Sequence, residues 1–422
     1  MQTIAKKVMT TVISMLLITG LAVVAAPAQA AKTTITYFSF SAAPDHIKTL
    51  NSIVAAFEKK NPTIHVKVET AAYADYFTKL KTRIAANRAP DTFELDYQDF
   101  VSYAAAGSLL NLGNVSAKDK TFKKSLYFGK AYSVFALNGK QYGVPSSYST
   151  VVLFYNKDLF NAAGVATPNS SWDWSDEAAA DKALAAKLPV GTYADFQPVQ
   201  FYEFFKVLAQ AGGQFLSADK KHALFNKQPG INALNWLVSK QNNGWKPTPA
   251  QMGTMDDGAM FAAGKLAMWH SGIWEFSAMK DVPFKWDVAV EPGGVTPGNH
   301  FFANDVSVSS KTKNADAAWK WAKFVTSDAA AVKLMISSSW EIPATSGKAP
   351  LAAYLKSPNP PANRQAVFDA LKNPVVPPVI RQQNQMQDAV TAWLAKAQDG
   401  SVSVVDALNS AAADVNTILA KE

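Results

Sequence analysis

The chain has 422 residues, 48% of them hydrophobic and 18% charged, which excludes a disordered protein and favours two domains or one large one. It contains no cysteine, so disulfides, thiolate catalysis and cysteine-ligated metals are excluded. The formal net charge is +8, but the sequence has no run of five or more basic residues, so we expect no nucleic-acid partner.

Residues 1–30 have the pattern of a secretory signal peptide. A basic start, "MQTIAKK", precedes the apolar stretch "VMTTVISMLLITGLAVVA", and Ala28-Gln29-Ala30 matches the small-x-small cleavage pattern. An uncleaved membrane anchor is the alternative, because the apolar stretch is nearly long enough to span. We expect cleavage after Ala30 and export to the periplasm or the outer face of the cell envelope. Without cysteine, no lipid anchor is expected.

The next segment predicts alternating strands and helices. "TTITYFSF" and "TIHVKVE" alternate like strands, and "DTFELDY" is a short third strand. Ile47, Leu50, Val54 and Phe57 fall at helical spacing between the first two strands, and a second helix precedes the third. The order predicts a mostly parallel α/β sheet, with ligand positions beyond its strands at 38–45 and 96–99.

Further elements follow from residue 144 onward. "TVVLFYN" predicts a buried strand, "KDLFNAAG" a short helix closed by Gly164, and "SDEAAADKALAAKL" another helix. Helices dominate from about 200 to 280, strands return through "HFFANDVSVSS", and "NADAAWKWAKFVTSDAAAVKLM" and 383–421 are helical. The chain lacks a Pro/Gly/Ser-rich spacer, so two lobes would share several crossings.

Catalytic and cofactor motifs are absent from the sequence. There is no nucleophile elbow, phosphate loop or dinucleotide fingerprint, and we expect no cofactor. The five histidines show no H-x-x-x-H spacing, so we interpret them as scattered surface residues and expect no metal site. Five carboxylates remain candidates for a functional site. Glu94, Asp96 and Asp99 cluster after a predicted strand, and Glu275 and Glu341 each follow a Trp. Such carboxylates serve glycosidases and sugar-binding proteins alike.

The sequence resembles the extracellular solute-binding proteins of the maltose-binding type, the sugar-binding proteins of ABC importers. The resemblance covers about residues 33–420. It is carried in order by "FEKKNPTIHVKVE", "APDTFELDY", "GVPSSYSTVVLFYNKDLFNAAGV", "MFAAGKLAMWHSGIWEF", "HFFANDVSVSS", "AAWKWAKFVTS" and "SSWEIPATS".

The resemblance implies the fold of periplasmic binding proteins, with two α/β lobes joined by a multi-segment hinge and a ligand cleft between them. The N-terminal lobe is expected at 33–143 plus 290–340, and the C-terminal lobe at 144–289 plus 341–420. The implied partners are a sugar, mono- or oligosaccharide, and the permease subunits of an ABC transporter. The chain is then a non-catalytic monomer that closes over its ligand.

The resemblance also implies which side chains bind the sugar. They are Phe40, Asp45, Asp96, Tyr97, Tyr148, Gln200, Tyr202, Trp274, Glu275, Phe302, Asn304, Trp340 and Glu341. Aromatic rings would cover the apolar face of a pyranose, and the polar groups would bond its hydroxyls. We expect Trp274 to be such a platform and Trp269, in the run "KLAMW", to be core. Many relatives carry Trp where this chain has Phe38 and Phe40, which implies a smaller stacking surface there.

Two alternatives stay open. A secreted glycoside hydrolase would use two of Asp96, Glu275 and Glu341, with one raised pKa. The same fold could instead bind a polyol or glycerol phosphate. A phosphate calls for an arginine or a helix N-terminus, and Arg381 is the arginine that could reach the cleft.

Overall fold

The computed structural model describes residues 32–338, 341–345 and 347–422. The predicted signal peptide and Trp340 lie outside the described residues. The strands are Thr33–Ser39 (β1), Ile64–Thr70 (β2), Thr92–Asp96 (β3), Ala136–Leu137 (β4), Lys140–Gln141 (β5), Gly143–Ser149 (β6), Val151–Asn156 (β7), Met268–Gly272 (β8), Trp286–Ala289 (β9), Asn299–His300 (β10), Phe302–Val308 (β11), Ile342–Pro343 (β12) and Pro374–Val375 (β13).

Helices connect and cover these strands. They are Pro44–Lys60 (α1), Tyr73–Ala85 (α2), Tyr97–Ala105 (α3), Leu112–Ser116 (α4), Gly129–Ser133 (α5), Lys157–Ala163 (α6), Trp174–Ala185 (α7), Phe201–Gln210 (α8), Gln228–Asn242 (α9), Pro249–Met252 (α10), Asp257–Ala262 (α11), Ala315–Ser327 (α12), Ala329–Ser337 (α13), Lys348–Leu355 (α14), Gln365–Ala370 (α15), Gln383–Gln398 (α16) and Val404–Leu419 (α17). Short 3₁₀ turns occupy Lys124–Leu126 and Ile273–Glu275. Within the described part of the chain, none of these helices is both long and apolar enough to span a bilayer.

A six-stranded sheet has the order β12-β6-β11-β3-β1-β2. β1 runs parallel to β2 and β3, as predicted for the opening segment. The expectation of a mostly parallel sheet is wrong for the other half, because β11 pairs antiparallel with both β3 and β6, and β12 pairs antiparallel with β6. These strands come from distant parts of the chain, so local helix and strand order could not indicate their direction.

A second sheet has three antiparallel strands in the order β8-β7-β9. The chain passes from the large sheet to the small one between β6 and β7 at Thr150, which is fully buried. Its hydroxyl donates to the His300 carbonyl oxygen at 2.6 Å, where the chain returns toward β11. The two sheets are therefore joined by at least two neighbouring crossings, which fits a hinged two-lobe α/β fold.

The lobe boundaries given by residue number stay a prediction. β6 and β12 lie in the six-stranded sheet with β1, although the expected division at 143/144 and 340/341 assigns both strands to the C-terminal lobe. The reason is β11: it pairs with β6, and β6 pairs with β12, so both strands follow the N-terminal sheet.

Local signals explain how the elements begin and end. Gly164 closes α6 with φ 61°, as its position predicted. The long helix predicted over 314–335 is instead two helices, because Asp328 leaves the helical conformation and caps α13 by accepting from the Ala330 amide. One large core fills the space around the six-stranded sheet, and a second lies among α8, α9, α16 and α17.

Candidate ligand-binding cleft

The inner end of the cleft holds a carboxylate–amide–hydroxyl cluster. β11 pairs with β6 so that Asn304 stands opposite Ser147, and β12 begins directly after Glu341. Asn304 Nδ2 lies 3.1 Å from Glu341 Oε2 and 3.2 Å from Ser147 Oγ, while the Ser147 hydroxyl also donates to Glu341. Burial raises the pKa of Glu341, although both donors oppose the rise.

A second carboxylate, Glu94, lines the same small cavity with Phe40. Glu94 accepts from the Tyr37 hydroxyl at 2.8 Å, the Ser39 hydroxyl at 2.7 Å and the Phe40 amide at 3.1 Å. Burial raises the pKa of Glu94 to about 7 despite these donors, and Glu341 adds to the rise. The cavity between the two carboxylates is about 20 Å³, room for one or two waters.

The carboxyl end of β3 supplies another pair of acids. Asp96 caps α3 by accepting from the amides of Gln98 and Asp99, and the Tyr73 hydroxyl donates to it at 2.7 Å. Asp99 accepts from Asn384 Nδ2, on α16, at 2.8 Å. Burial raises the pKa of Asp99 to about 8, and the neighbouring Asp96 carboxylate contributes. This end of β3 therefore carries two buried, hydrogen-bonded carboxyl groups.

An aromatic wall includes Phe302, which lies on β11 two residues before Asn304. The rings of Trp274 and Phe302 lie 5.9 Å apart edge to face, and Tyr202 meets Phe302 at 5.8 Å. His300 stacks on Phe302 at 5.4 Å. The Tyr202 hydroxyl lies 3.1 Å from Gln98 Oε1 and 2.8 Å from Gln387 Oε1, so α8 is tied to both α3 and α16. The wall thus combines half-buried rings with fixed polar ends.

The two tryptophans of "KLAMWHSGIWEF" have different environments. Trp269 is only 1% exposed, and its indole nitrogen donates to Asp257 at 2.9 Å, so the expected core position is confirmed. Trp274 is half-buried, and its ring rests against the backbone of Gly272. A side chain at position 272 would displace the ring.

A polar groove of about 350 Å³ lies beside the segment that follows Trp274. α1, α13 and the segment after Trp274 line it, with hydroxyl, amide and charged groups that include Asp45, Lys48, Ser277, Lys280, Ser338 and Asn359. The Ser277 hydroxyl donates to Asp45, which links α1 to the segment that follows β8. A volume of this size falls within the range of small-molecule sites.

Other predicted residues occupy less central positions. Tyr148 is 5% exposed, lies between β11 and β12 in the large sheet, and stacks on Phe128 at 5.2 Å. Tyr97 is buried in the core, and Gln200 is exposed just before α8. Burial raises the pKa of Glu275 to about 7, and the carboxylates of Asp257 and Asp256 add to the rise, which places Glu275 beside α11.

The structure therefore brings together only part of the predicted set. Phe40, Asn304 and Glu341 share one cavity, and Tyr202, Trp274 and Phe302 form one wall. The residues that sequence reasoning left out of that set are Ser147, Glu94, Tyr73, Phe128 and Ser277. Only Glu94, in the acidic cluster that also contains Asp96 and Asp99, had a visible signal in the sequence; the others depend on pairing between distant segments.

A buried ionic cluster lies behind the wall, where the sequence predicted surface histidines. His270 and His300 are 3% and 5% exposed, so that interpretation is wrong for both, although His65 and His222 are exposed. His270 Nδ1 lies 2.8 Å from Glu291 Oε1, and its Nε2 lies 2.9 Å from Glu177 Oε1. Nearby carboxylates, chiefly Asp195 and Glu177, raise the pKa of His270 to about 10 against the cost of burial.

Two sets in this cluster have ligand atoms close enough to share a metal ion: Glu177, Asp195 and His270, and Glu203, His270 and Glu291. Lysine ammonium groups already bridge the same carboxylates. Lys240 contacts Glu177 and Asp195, and Lys206 lies 2.7 Å from Glu203 and 2.8 Å from Glu291. The arrangement is that of a paired charge network, in which lysines balance the acids.

Comparison with known proteins agrees with this geometry. The chain is 28% identical over 323 residues to the multiple sugar-binding protein of Streptococcus mutans, covering 70% of this chain and 71% of that protein. It is 25% identical over 374 residues to the galactooligosaccharide-binding protein of Bacillus subtilis, covering 86% and 85%. The solved structure of an ABC substrate-binding protein from Listeria monocytogenes in complex with cycloalternan is 40% identical with a TM-score of 0.89, covering 92% and 99%. The profile described as bacterial extracellular solute-binding protein matches residues 43–332, and the chain belongs to that family.

Proposed function

We propose that the chain is the extracytoplasmic substrate-binding component of an ABC importer, that its ligand is a neutral oligosaccharide held between the lobes, and that it releases this ligand unchanged. The single observation that carries the ligand class is the placement on one strand, two residues apart, of Phe302 from the aromatic wall (Tyr202, Trp274, Phe302) and Asn304 from the Ser147–Asn304–Glu341 cluster. A pyranose presents an apolar face and a rim of hydroxyls, which this pairing complements.

The size of the groove favours an oligosaccharide over a monosaccharide. The inner cavity beside Glu341 is about 20 Å³, whereas the groove beside Asp45 and Ser277 is about 350 Å³. α1 and α13 line both spaces, so a ligand anchored at the inner cluster can extend along these helices. The similarity to the galactooligosaccharide-binding protein of Bacillus subtilis supports the same class.

Charge in the cleft favours a neutral sugar over glycerol phosphate. Glu94 and Glu341 line the inner cavity, and among the described residues no lysine or arginine lines it with them, so a phosphate there would find no basic partner. Arg381, the arginine expected to be within reach, instead contacts Glu422 near the C-terminus and is exposed. The phosphate alternative therefore rests on Lys48 and Lys280, which line the outer groove, and not on Arg381.

The hydrolase alternative rests on one specific observation. Glu94 and Glu341 share a cavity, and the pKa of Glu94 is raised to about 7, as expected of a general acid. The space between them is too small for a pyranose, and three donors around Glu94 hold it as a structural acceptor. The family and the named relatives are binding proteins, which supports the non-catalytic proposal.

Contacts seen in the structure would hold the two lobes together in the closed state. We place the N-terminal lobe around the six-stranded sheet and the C-terminal lobe around the β8-β7-β9 sheet, with crossings near Thr150 and between β9 and β11. Asp45 with Ser277, and Asp99 with Asn384, would then link the lobes. We further propose that the chain is a monomer, that it is exported from the cytoplasm, and that it carries no lipid anchor. The permease subunits would recognise its closed, ligand-bound form.

A thermal-shift screen tests this function. The purified protein, starting at residue 31, is heated with neutral mono- and oligosaccharides and with glycerol phosphate. We expect a rise in Tm with an oligosaccharide, recovered intact after hours of incubation. Consumption of the sugar would instead support the hydrolase, and a shift with glycerol phosphate alone would overturn the neutral-sugar proposal.

A further inference from the structure

The positive charge of the chain is concentrated in one segment. Residues 100–156 contain six lysines, no arginine and one acidic residue, a net charge of +5 in a chain whose formal charge is +8. Five of these lysines fall between 118 and 130. We call residues 118–130 the basic strip; its cations are Lys118, Lys120, Lys123, Lys124 and Lys130.

The acidic residue in the strip does not offset these cations. Asp119 accepts from the Trp319 indole nitrogen at 3.0 Å and forms an ion pair with Lys323 on α12. The hydrogen bonds from Lys323 and Thr121 hold the pKa of Asp119 well below its usual range despite partial burial. Its charge is therefore balanced from outside the strip, and the strip keeps its full positive charge.

The cations are displayed at the surface. Lys118, Lys120, Lys123 and Lys124 are exposed. Lys124 Nζ lies 5.0 Å from the ring centre of Tyr132, and Lys130 Nζ lies 5.4 Å from that of Phe301, so aromatic rings hold part of the strip in place.

Two large apolar side chains stand among these cations. Leu126 is 44% exposed and Phe128 is 39% exposed, and both belong to or closely follow the 3₁₀ turn Lys124–Leu126. Exposed leucine and phenylalanine side chains flanked by lysines are typical of protein surfaces that insert into the headgroup region of an anionic bilayer. A soluble anionic polymer would satisfy the lysines but would offer no apolar medium to Leu126 and Phe128.

We propose that the basic strip is a docking surface for a membrane rich in anionic lipids. Phe128 also stacks on Tyr148 at 5.2 Å, so the strip lies beside β6, the strand that carries Ser147. If the proposed function holds, docking keeps this side of the large sheet at the bilayer, where the permease lies. Membrane binding and sugar binding are separate properties, and each is measured without the other.

Vesicle flotation tests the docking surface. Phosphatidylcholine vesicles with and without phosphatidylglycerol are mixed with the purified protein at several salt concentrations. We expect binding only to the anionic vesicles, weakening as salt rises. The triple change K120Q/K123Q/K124Q should lower the partition coefficient about 100-fold. The control K81Q/K333Q/K356Q removes the same charge from exposed positions elsewhere and should lower it only a few-fold.

A second variant separates lipid from polymer. Leu126→Ser should weaken vesicle binding about tenfold while leaving binding to soluble polyglutamate unchanged. Equal losses in the two lysine triples would show a net-charge effect and overturn the proposal. Binding to polyglutamate without binding to anionic vesicles would overturn it in favour of a polymer partner. Each variant is also heated with sugar. An unchanged thermal shift shows that the cleft and the fold of that variant are intact, independently of the vesicle-binding result.

Discussion

The indole ring of Trp274 rests on the α-carbon of Gly272: a β-carbon at position 272 would stand about 2.1 Å from the ring atoms, well inside van der Waals contact. The ring that faces Phe302 is therefore positioned by the absence of a side chain two residues earlier. We expect Gly272→Ala to push the ring out of place and to weaken sugar binding about tenfold, or about 1.4 kcal/mol. Titration calorimetry measures the loss.

Gly258 offers a matched control for this change. It lies in α11 beside the other tryptophan, and a β-carbon there would stand 3.5 Å from the Trp269 ring, an ordinary contact. Gly258→Ala should leave sugar affinity unchanged and should not lower stability, since alanine favours a helix. Equal losses of affinity in the two variants would contradict the role of Trp274.

Glu341 is expected to accept hydrogen bonds from the ligand as well as from Ser147 and Asn304. Glu341→Gln replaces one acceptor oxygen with a donor and removes the charge, so we expect affinity to fall about 10- to 100-fold, or about 1.5–3 kcal/mol. Glu69→Gln, which alters a carboxylate paired with Arg83 and Lys67 at the end of β2, should change affinity by less than about twofold. Unchanged affinity in Glu341→Gln would remove Glu341 from the site.

Lys240 should be critical for stability rather than for binding. It is fully buried and contacts Glu177 and Asp195, so Lys240→Met leaves two buried carboxylates without their partner. We expect the free energy of unfolding to fall by about 3–5 kcal/mol. Lys356→Met, at an exposed position, should change it by less than about 0.5 kcal/mol. Denaturant unfolding compares the two, and equal effects would contradict the network.

Stability should decrease as the pH rises from about 5 to about 8. Glu94 and Asp99 have raised pKa values of about 7 and about 8, because burial disfavours their charged forms. Each folded-state pKa exceeds the unfolded value, so the contribution is complete below the unfolded pKa and is lost as the pH passes the folded pKa. Asp99→Asn should flatten the fall in Tm and raise Tm at about pH 8. A steeper fall in that variant would contradict the assignment.

The sequence predicted those features that depend on neighbours along the chain. Gly164 closes its helix, Asp96 ends β3, and the run before Trp269 identifies that ring as core. Family resemblance added the two-lobe fold, which the similarity to the Listeria structure confirms. The site residues that it implied stay predictions, and Trp340 lies outside the described residues.

The features that the sequence missed depend on contacts between distant segments. Nothing near His270 in the sequence shows that Glu177 and Glu291 lie against it, so a buried charge network was interpreted as surface. Ser147 meets Glu341 only because β6 pairs with β12. The sequence analysis missed the helix break at Asp328, because the residues on both sides of Asp328 are typical of a helix. Contacts between distant segments depend on the order of strands in the sheet, and the hydrophobic periodicity of the sequence does not specify that order.

The most direct test is calorimetric titration of the purified protein with neutral oligosaccharides of increasing length, followed by recovery of the sugar. We predict one site per chain, affinity that increases from mono- to oligosaccharide as the groove beside Asp45 and Ser277 is filled, and a ligand recovered intact. Binding that is strongest for a monosaccharide would contradict the oligosaccharide proposal. Absence of binding to every neutral sugar would contradict the central claim.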